Sequence, residues 1–160
     1  MAKDFMNMYC MHTKTCGELR AENIDEEVVL CGWIRRNRDL GGFCFLTLRD
    51  RTGIIQVVVD PDVVGSDVFE EVSHYGREFV LKISGKVQSR GEKDKNPDMP
   101  TGEVEVVAQK IELLNKSQTP PFEIEDDIDT SDDMKMKWRF LDIRRPEMFK
   151  NLYLRHKAVE

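Results

Sequence analysis

What this sequence lacks narrows its reading before any motif is considered. No apolar run approaches the length that spans a bilayer, and the opening MAKDFMNMYCMHTK has none of the apolar centre that a secretory signal carries. The cytoplasm is therefore the expected compartment, with no membrane partner. Cysteine is scarce and shows no C-x-x-C spacing: Cys10, Cys16, Cys31 and Cys44 stand apart, two of them inside strand-like runs. Free, buried thiols in a reducing compartment are expected rather than zinc ligands or disulfides. His12, His74 and His156 are scattered without a ligand pattern, so no bound metal is expected. A basic excess is missing too, since 24 Lys and Arg face 30 Asp and Glu for a net charge of -6. Taken globally, that charge argues against a polyanionic partner.

The charge is uneven, however, and only the local field meets a ligand. Between Trp33 and Gln56 there are five basic residues (35, 36, 38, 49, 51) against two acids (39, 50). From Glu123 to Asp133 there are seven acids and no base, in a segment that reads as a solvated linker. The whole chain is 160 residues long, 40% hydrophobic and 34% charged. That composition suits a globular domain with something added, and the length allows a real core.

The most informative stretch is CGWIRRNRDLGGFCFLTLRDRTGIIQVVVD, residues 31 to 60. Successive strand residues point to opposite faces, so Cys44, Leu46 and Leu48 share one side while Phe43, Phe45 and Thr47 share the other. The first side is core material, yet the second presents two phenylalanines. The run from Ile54 to Asp60 alternates in the same way, and pairing it through the turn Arg49 to Gly53 puts Phe45 and Gln56 on one outward surface. Arg35, Arg36 and Arg38 lie just upstream. An aromatic for stacking, an amide for a base edge and guanidinium groups for phosphates make a single-stranded nucleic-acid platform. Outward aromatics can equally cover a neighbouring loop, and arginines after a strand can be a solvated turn, so these residues leave both readings open.

Residues 1 to 16 carry no period and read as a variable leader. A short helix or turn is expected at residues 16 to 19, then a first strand from Glu26 to Arg36, with Gly32 marking a bend or close backbone approach. After Asp60-Pro61 the period becomes helical: Asp67 reads as an N-cap with Glu70 three residues on, Val68, Val72 and Tyr75 recur on one face, and Gly76 suits the stop. Phe79 to Gln88 and Glu103 to Leu114 read as two further strands, separated by an exposed loop from Gly91 to Gly102. The fold expected is mainly β, five strands with a helix between the third and fourth, which is the pattern of the OB-fold barrel. Thr119-Pro120-Pro121 ends it. Ser131 reads as the cap of a helix carrying Met134, Trp138 and Leu141, and Pro146 as the opening of a helix to Glu160 with Phe149, Leu152, Tyr153 and Val159 near one face. With no stop signal at its end, that helix reads as cut mid-element.

Four segments, CGWIRRNRDLGGFCFLTLRDRTGIIQVVVDPD, REFVLKISGKVQSR, TGEVEVVAQKIELLNKSQTPPF and WRFLDIRRPEMFKNLYLR, in that order, resemble the amino-terminal part of bacterial-type aspartyl-tRNA synthetases. The resemblance runs from about residue 15 onward. It implies an OB-fold anticodon-binding domain at 17–118, a hinge at 119–145, and at 146–160 the start of a truncated class II catalytic domain. It implies a parent enzyme that attaches aspartate to its tRNA with ATP and Mg2+ as a homodimer. The fragment itself is expected to be a monomer without catalytic residues, cofactor or aminoacylation activity. By the same resemblance Phe45 stacks on the central anticodon base, Gln56 reads a base edge, Arg36 and Arg38 are basic residues of the site, Glu105 reads the first anticodon base, and Arg90 approaches the anticodon loop. Two positions depart from the family: Asn37 interrupts an arginine run, and Asp94 stands where an asparagine is common. The alternative is a stand-alone OB module binding single-stranded nucleic acid or protein, for which the tail LDIRRPEM would have no purpose.

Overall fold

A computed structural model describes residues 11–160; Cys10 and the first ten residues of the expected leader lie outside the described residues. The chain divides into two compact units, one running to Thr119 and the other Pro120–Glu160.

The first unit is a closed five-stranded barrel. Its strands are β1 (Glu27–Asp39), β2 (Cys44–Arg49), β3 (Ile54–Val59), β4 (Val80–Ser89) and β5 (Val104–Asn115). Around the barrel they run β1-β2-β3-β5-β4, and β4 closes back on β1. Every pairing is antiparallel except the short parallel contact of β3 with β5. Each strand pairs on both sides for at least part of its length, so none of the five is a simple edge strand among the described residues. The inward alternation fills the interior with Leu30, Ile34, Leu46, Leu48, Ile55, Val57, Leu81, Ile83 and Val106, all fully buried. Burying each such side chain contributes about 1.5–3 kcal/mol. Gly32 fulfils the close approach that its position in a strand suggests, since a Cβ there would stand 2.5 Å from the Arg49 carbonyl oxygen.

Between β3 and β4 the expected single helix is two. Asp60 accepts from the Asp62 amide and opens α1 (Pro61–Val64), which has proline in its first turn; Gly65, at φ 89°, then turns the chain into α2 (Ser66–Ser73). Asp67 is thus not the N-cap but a first-turn acid, and α2 stops at His74 before Gly76 is reached. The capping signal that operates is Asp60-Pro61, because proline at the first helical position loses no hydrogen bond there. Val72 of α2 is fully buried, with Val64, Val68 and Phe69 packed around the same core.

The 11–16 part of the expected leader lies along the barrel. The Thr13 amide donates to the Val29 carbonyl at 2.9 Å, and Cys16 is buried. Asp50 in the β2–β3 turn ties this segment down: its Oδ2 accepts from the Cys16 amide at 2.6 Å, and its Oδ1 accepts from the Thr52 amide, the Thr52 hydroxyl and the Gly53 amide. Of the described cysteines, Cys16 and Cys44 are buried free thiols and Cys31 is a half-buried one. Burial pushes the Cys44 thiol up to about 11.

In the second unit, Phe122, Ile124 and Leu141 are buried together, with Ile128 and Trp138 half-buried against them. Ser131 caps α3 (Asp132–Lys137) as its position suggests, but Trp138, at φ -110° and ψ 44°, separates it from α4 (Arg139–Asp142) and turns onto the apolar cluster. Asp142, 2% exposed, accepts from Arg139 at 2.7 Å and from Arg145 Nε at 2.8 Å. Asp126, from the acidic run, accepts from the Glu147 amide and so covers a free N–H at the start of α5 (Pro146–Val159).

Burial alone would raise the Asp50 carboxyl, but the hydrogen bonds it accepts outweigh that and hold it below its ordinary value of 3.8. A depressed folded-state pKa gives stability that is complete above the unfolded value and lost as pH falls through the lower folded one. Asp50→Ala is expected to lose about 2 kcal/mol at neutral pH. Urea denaturation as a function of pH should show a smaller acid-side decline below about pH 4 than in the wild type.

Candidate nucleic-acid interface

The arrangement of the outer barrel face begins with an irregularity in β1. Up to Ile34 its even-numbered residues, Val28, Leu30, Gly32 and Ile34, point inward. Between Ile34 and Arg36 the pairing with β2 shifts, from Ile34 opposite Leu48 to Arg36 opposite Thr47. One extra residue in one strand inverts the side-chain alternation beyond it. Arg36 and Arg38, which a regular strand would send into the core, therefore stand outward and exposed, opposite Thr47 and Phe45.

Asn37 takes the inward position and anchors the irregularity. Its Nδ2 donates to the carbonyls of Val72, Ser73 and Tyr75 at 2.9, 3.3 and 3.1 Å, and its Oδ1 accepts from the Cys44 thiol at 2.8 Å. The side chain thereby adds a donor to carbonyls at and just beyond the end of α2, of which Val72 also accepts from the Tyr75 amide at 3.0 Å. The departure from an arginine run at this position is thus an inward-facing helix anchor.

Two outward rungs cross the barrel. One carries Arg38, Phe45, Val58, Val107 and Lys86, each paired with the next. The other carries Arg36, Thr47 and Gln56, and on its far side Glu105 opposite Gln88. Phe45 is half-buried, so part of its side chain stays within reach of solvent. On the second rung Gln56 Nε2 donates to Glu105 Oε2 at 2.9 Å, and Gln88 Nε2 donates to Oε1 at 2.8 Å. The carboxylate is held from both sides in one orientation. An ionised carboxylate has about four acceptor sites, so two remain for a ligand.

Arg90 lies beneath this row. It is 5% exposed, its Nε donates to the Val104 carbonyl at 3.1 Å and sits 4.0 Å from Glu105 Oε2. Burial pulls its pKa down, opposed by the nearby Glu105 and Asp94 carboxylates, and its Nη2 is buried without a hydrogen-bond partner. A guanidinium in that place offsets the charge of Glu105, which otherwise would oppose a phosphate chain.

The structure brings Arg36, Arg38, Phe45, Gln56 and Glu105 onto one face, with Arg90 behind it. Gln88, which ends the expected fourth strand, is not among the site residues expected from the sequence. Its signal was available: it shares the outward alternation of Lys82, Ser84 and Lys86, and antiparallel pairing sets it opposite Glu105. The loop from Gly91 to Gly102 is only partly exposed, for Thr101 is 2% exposed and donates to the Ile54 carbonyl at 2.6 Å. Among the described residues no three His, Cys, Asp or Glu converge as a metal site requires.

Comparison with known proteins agrees with this geometry. Residues 28–114 match the tRNA anticodon family, described as an OB-fold nucleic acid binding domain. The chain is 49% identical over 147 residues to an aspartate–tRNA ligase of Listeria welshimeri, covering 92% of this chain and 25% of that ligase. An aspartate–tRNA(Asp/Asn) ligase of Thermoanaerobacter sp. strain X514 is 49% identical over 148 residues, again 92% of this chain and 25% of the ligase. Among solved structures, the asparaginyl-tRNA synthetase of Pyrococcus horikoshii complexed with asparaginyl-adenylate superposes with a TM-score of 0.70 at 32% identity, over 83% of this chain and 29% of that one. The chain therefore spans about a quarter of the length of the ligases it matches.

Asn37→Ala removes the three carbonyl contacts and is expected to cost about 1–3 kcal/mol in urea denaturation. With the anchor gone, amide exchange along 35–38 and 44–47 should quicken relative to the opposite, β4 side of β1.

Proposed function

Since the chain belongs to the tRNA anticodon family of OB-fold nucleic acid binding domains, we propose that its outer face recognises the anticodon loop of an aspartate tRNA. The observation that supports this best is the clamped Gln56–Glu105–Gln88 row beside Phe45, with Arg36 and Arg38 exposed along the same rungs. Phe45 offers its ring to an unstacked base, which is worth about 1–3 kcal/mol and is tolerant of base identity. Discrimination comes from the row. Gln56 keeps its carbonyl oxygen and a second amide hydrogen for a base edge. Glu105 accepts from an amino or imino group, and its fixed orientation means little ordering remains to be done on binding. Arg36 and Arg38 neutralise phosphates and set the register of the strand. Arg90 acts through Glu105 from below.

The whole protein is proposed to be a class II ligase that attaches aspartate to tRNA using ATP and Mg2+, cytoplasmic and homodimeric, with the resemblance of the LDIRRPEM segment in support. ATP and Mg2+ belong in this reading to the catalytic part and not to the barrel face. The 160-residue chain alone is expected to bind RNA as a monomer, weakly and in a salt-dependent way, without aminoacylating it. The tail unit, with its buried Asp142–Arg145 pair, favours this reading over a stand-alone OB module. No helix among the described residues is long and apolar enough to cross a membrane.

Fluorescence anisotropy with a labelled aspartate-tRNA anticodon stem-loop at low salt tests the reading. Phe45→Ala should weaken binding by about 5- to 150-fold. Replacing the central anticodon base by an abasic ribose should weaken the wild type far more than the variant. Arg36→Ala should lower affinity for every RNA and reduce the salt slope by about one. Glu105→Gln should bind with nearly unchanged affinity but lose preference at the first anticodon position. Equal binding of all RNAs by wild type and Phe45→Ala would overturn the proposal.

A further inference from the structure

The hairpin joining β1 to β2 continues the outward alternation by one rung that the recognition site does not use. Asp39 stands opposite Cys44, and beyond that pair the Leu40 amide donates to the Phe43 carbonyl at 3.1 Å. Leu40 and Phe43 therefore follow Arg38 and Phe45 at the spacing of two residues along their strands, on the same side of the sheet. The tip is a defined turn: Asp39 Oδ1 accepts from the Gly41 amide at 2.9 Å, and Gly41 and Gly42 take φ values of 72° and 144° that favour glycine. Phe43 is 46% exposed and Leu40 69% exposed.

We propose that Phe43 is a second base-stacking position, taking the nucleobase next to the one on Phe45, with Leu40 against its sugar. This rests on the reading of the face as an RNA site. Two residues of strand separate the rings by about 7 Å, so one base cannot occupy both and a neighbouring nucleotide is needed. The occupant is single-stranded RNA because the rung is continuous with the Phe45 face and Arg38 and Arg36 follow on the same edge to take the phosphates between the bases. A protein partner would leave those two guanidinium groups facing an apolar contact. Asp39, the one acid of this tip, is turned into the hairpin by its bond to Gly41 and does not face the strand.

The experiment uses the 160-residue chain and aspartate-tRNA anticodon stem-loops in which each loop base in turn is replaced by an abasic ribose. Kd is measured for wild type, Phe43→Ala, Phe43→Trp and Phe45→Ala. The proposal expects Phe43→Ala to weaken binding about fivefold, Phe43→Trp to retain it, and one abasic position, adjacent to the one that depends on Phe45, to weaken the wild type but not Phe43→Ala. Unchanged binding by Phe43→Ala while Phe45→Ala weakens it would overturn this inference and leave the RNA face standing. If neither variant changes Kd, the RNA reading itself fails and this inference with it.

Discussion

The one-residue irregularity in β1 between Ile34 and Arg36 is the constraint on which the outer face depends. Upstream of it, even-numbered residues build the core; downstream, they face solvent. Without it, two guanidinium groups would point into a dry barrel, at a cost no partner there could offset, and Asn37 would face water. Asn37 makes the inversion specific, because a side chain that bonds three carbonyls at the α2 terminus and the Cys44 thiol cannot be exchanged for a neighbour without losing those four hydrogen bonds. The helix between β3 and β4 thus does more than fill space: its terminus fixes the register of the strand that carries the arginines.

The second requirement of the proposed function is that an acid can stand on a face that takes a polyanion. Glu105 achieves this by being already engaged. Two amides, one from β3 and one from β4, hold its oxygens, and a buried guanidinium lies behind it. Barrel closure is what brings them together, since β5 lies between β3 and β4 only because the sheet curls round and the parallel β3–β5 contact forms. In the proposed function, a preset acceptor between two preset donors would read a base edge with little ordering cost, and the aromatic one rung away would supply affinity that is indifferent to sequence.

Much of this was legible in the residues. The alternation in Phe43 to Leu48 and Ile54 to Asp60 gave both faces, and five strands interrupted by one helical stretch gave the barrel. Pairing through the Arg49 to Gly53 turn placed Phe45 and Gln56 together, as the register has them on adjacent rungs of one face. What alternation could not give is any place where it breaks. Arg36 and Arg38 are expected at the site from their place just upstream of the platform and from the resemblance, while the reason they face outward is an extra residue whose signature is a long-range contact of Asn37 with a helix 35 residues away. The Asp50 tie to Cys16 and the Arg90 position under Glu105 are of the same kind, set by pairing between distant segments. The Asp60-Pro61 cap, by contrast, was written in the sequence and outcompeted by the more familiar spacing of Asp67 and Glu70.

The central claim is that the bulge-turned outer face of the barrel is where RNA lies. It is tested most directly by titrating isotope-labelled protein with an unlabelled aspartate-tRNA anticodon stem-loop and following backbone and side-chain amide resonances. The account predicts that the perturbed signals map to the two outward rungs, including the side-chain amides of Gln56 and Gln88, while those of α2 and the tail unit stay in place. Perturbations concentrated on another surface, with Gln56 and Gln88 unmoved, would contradict it.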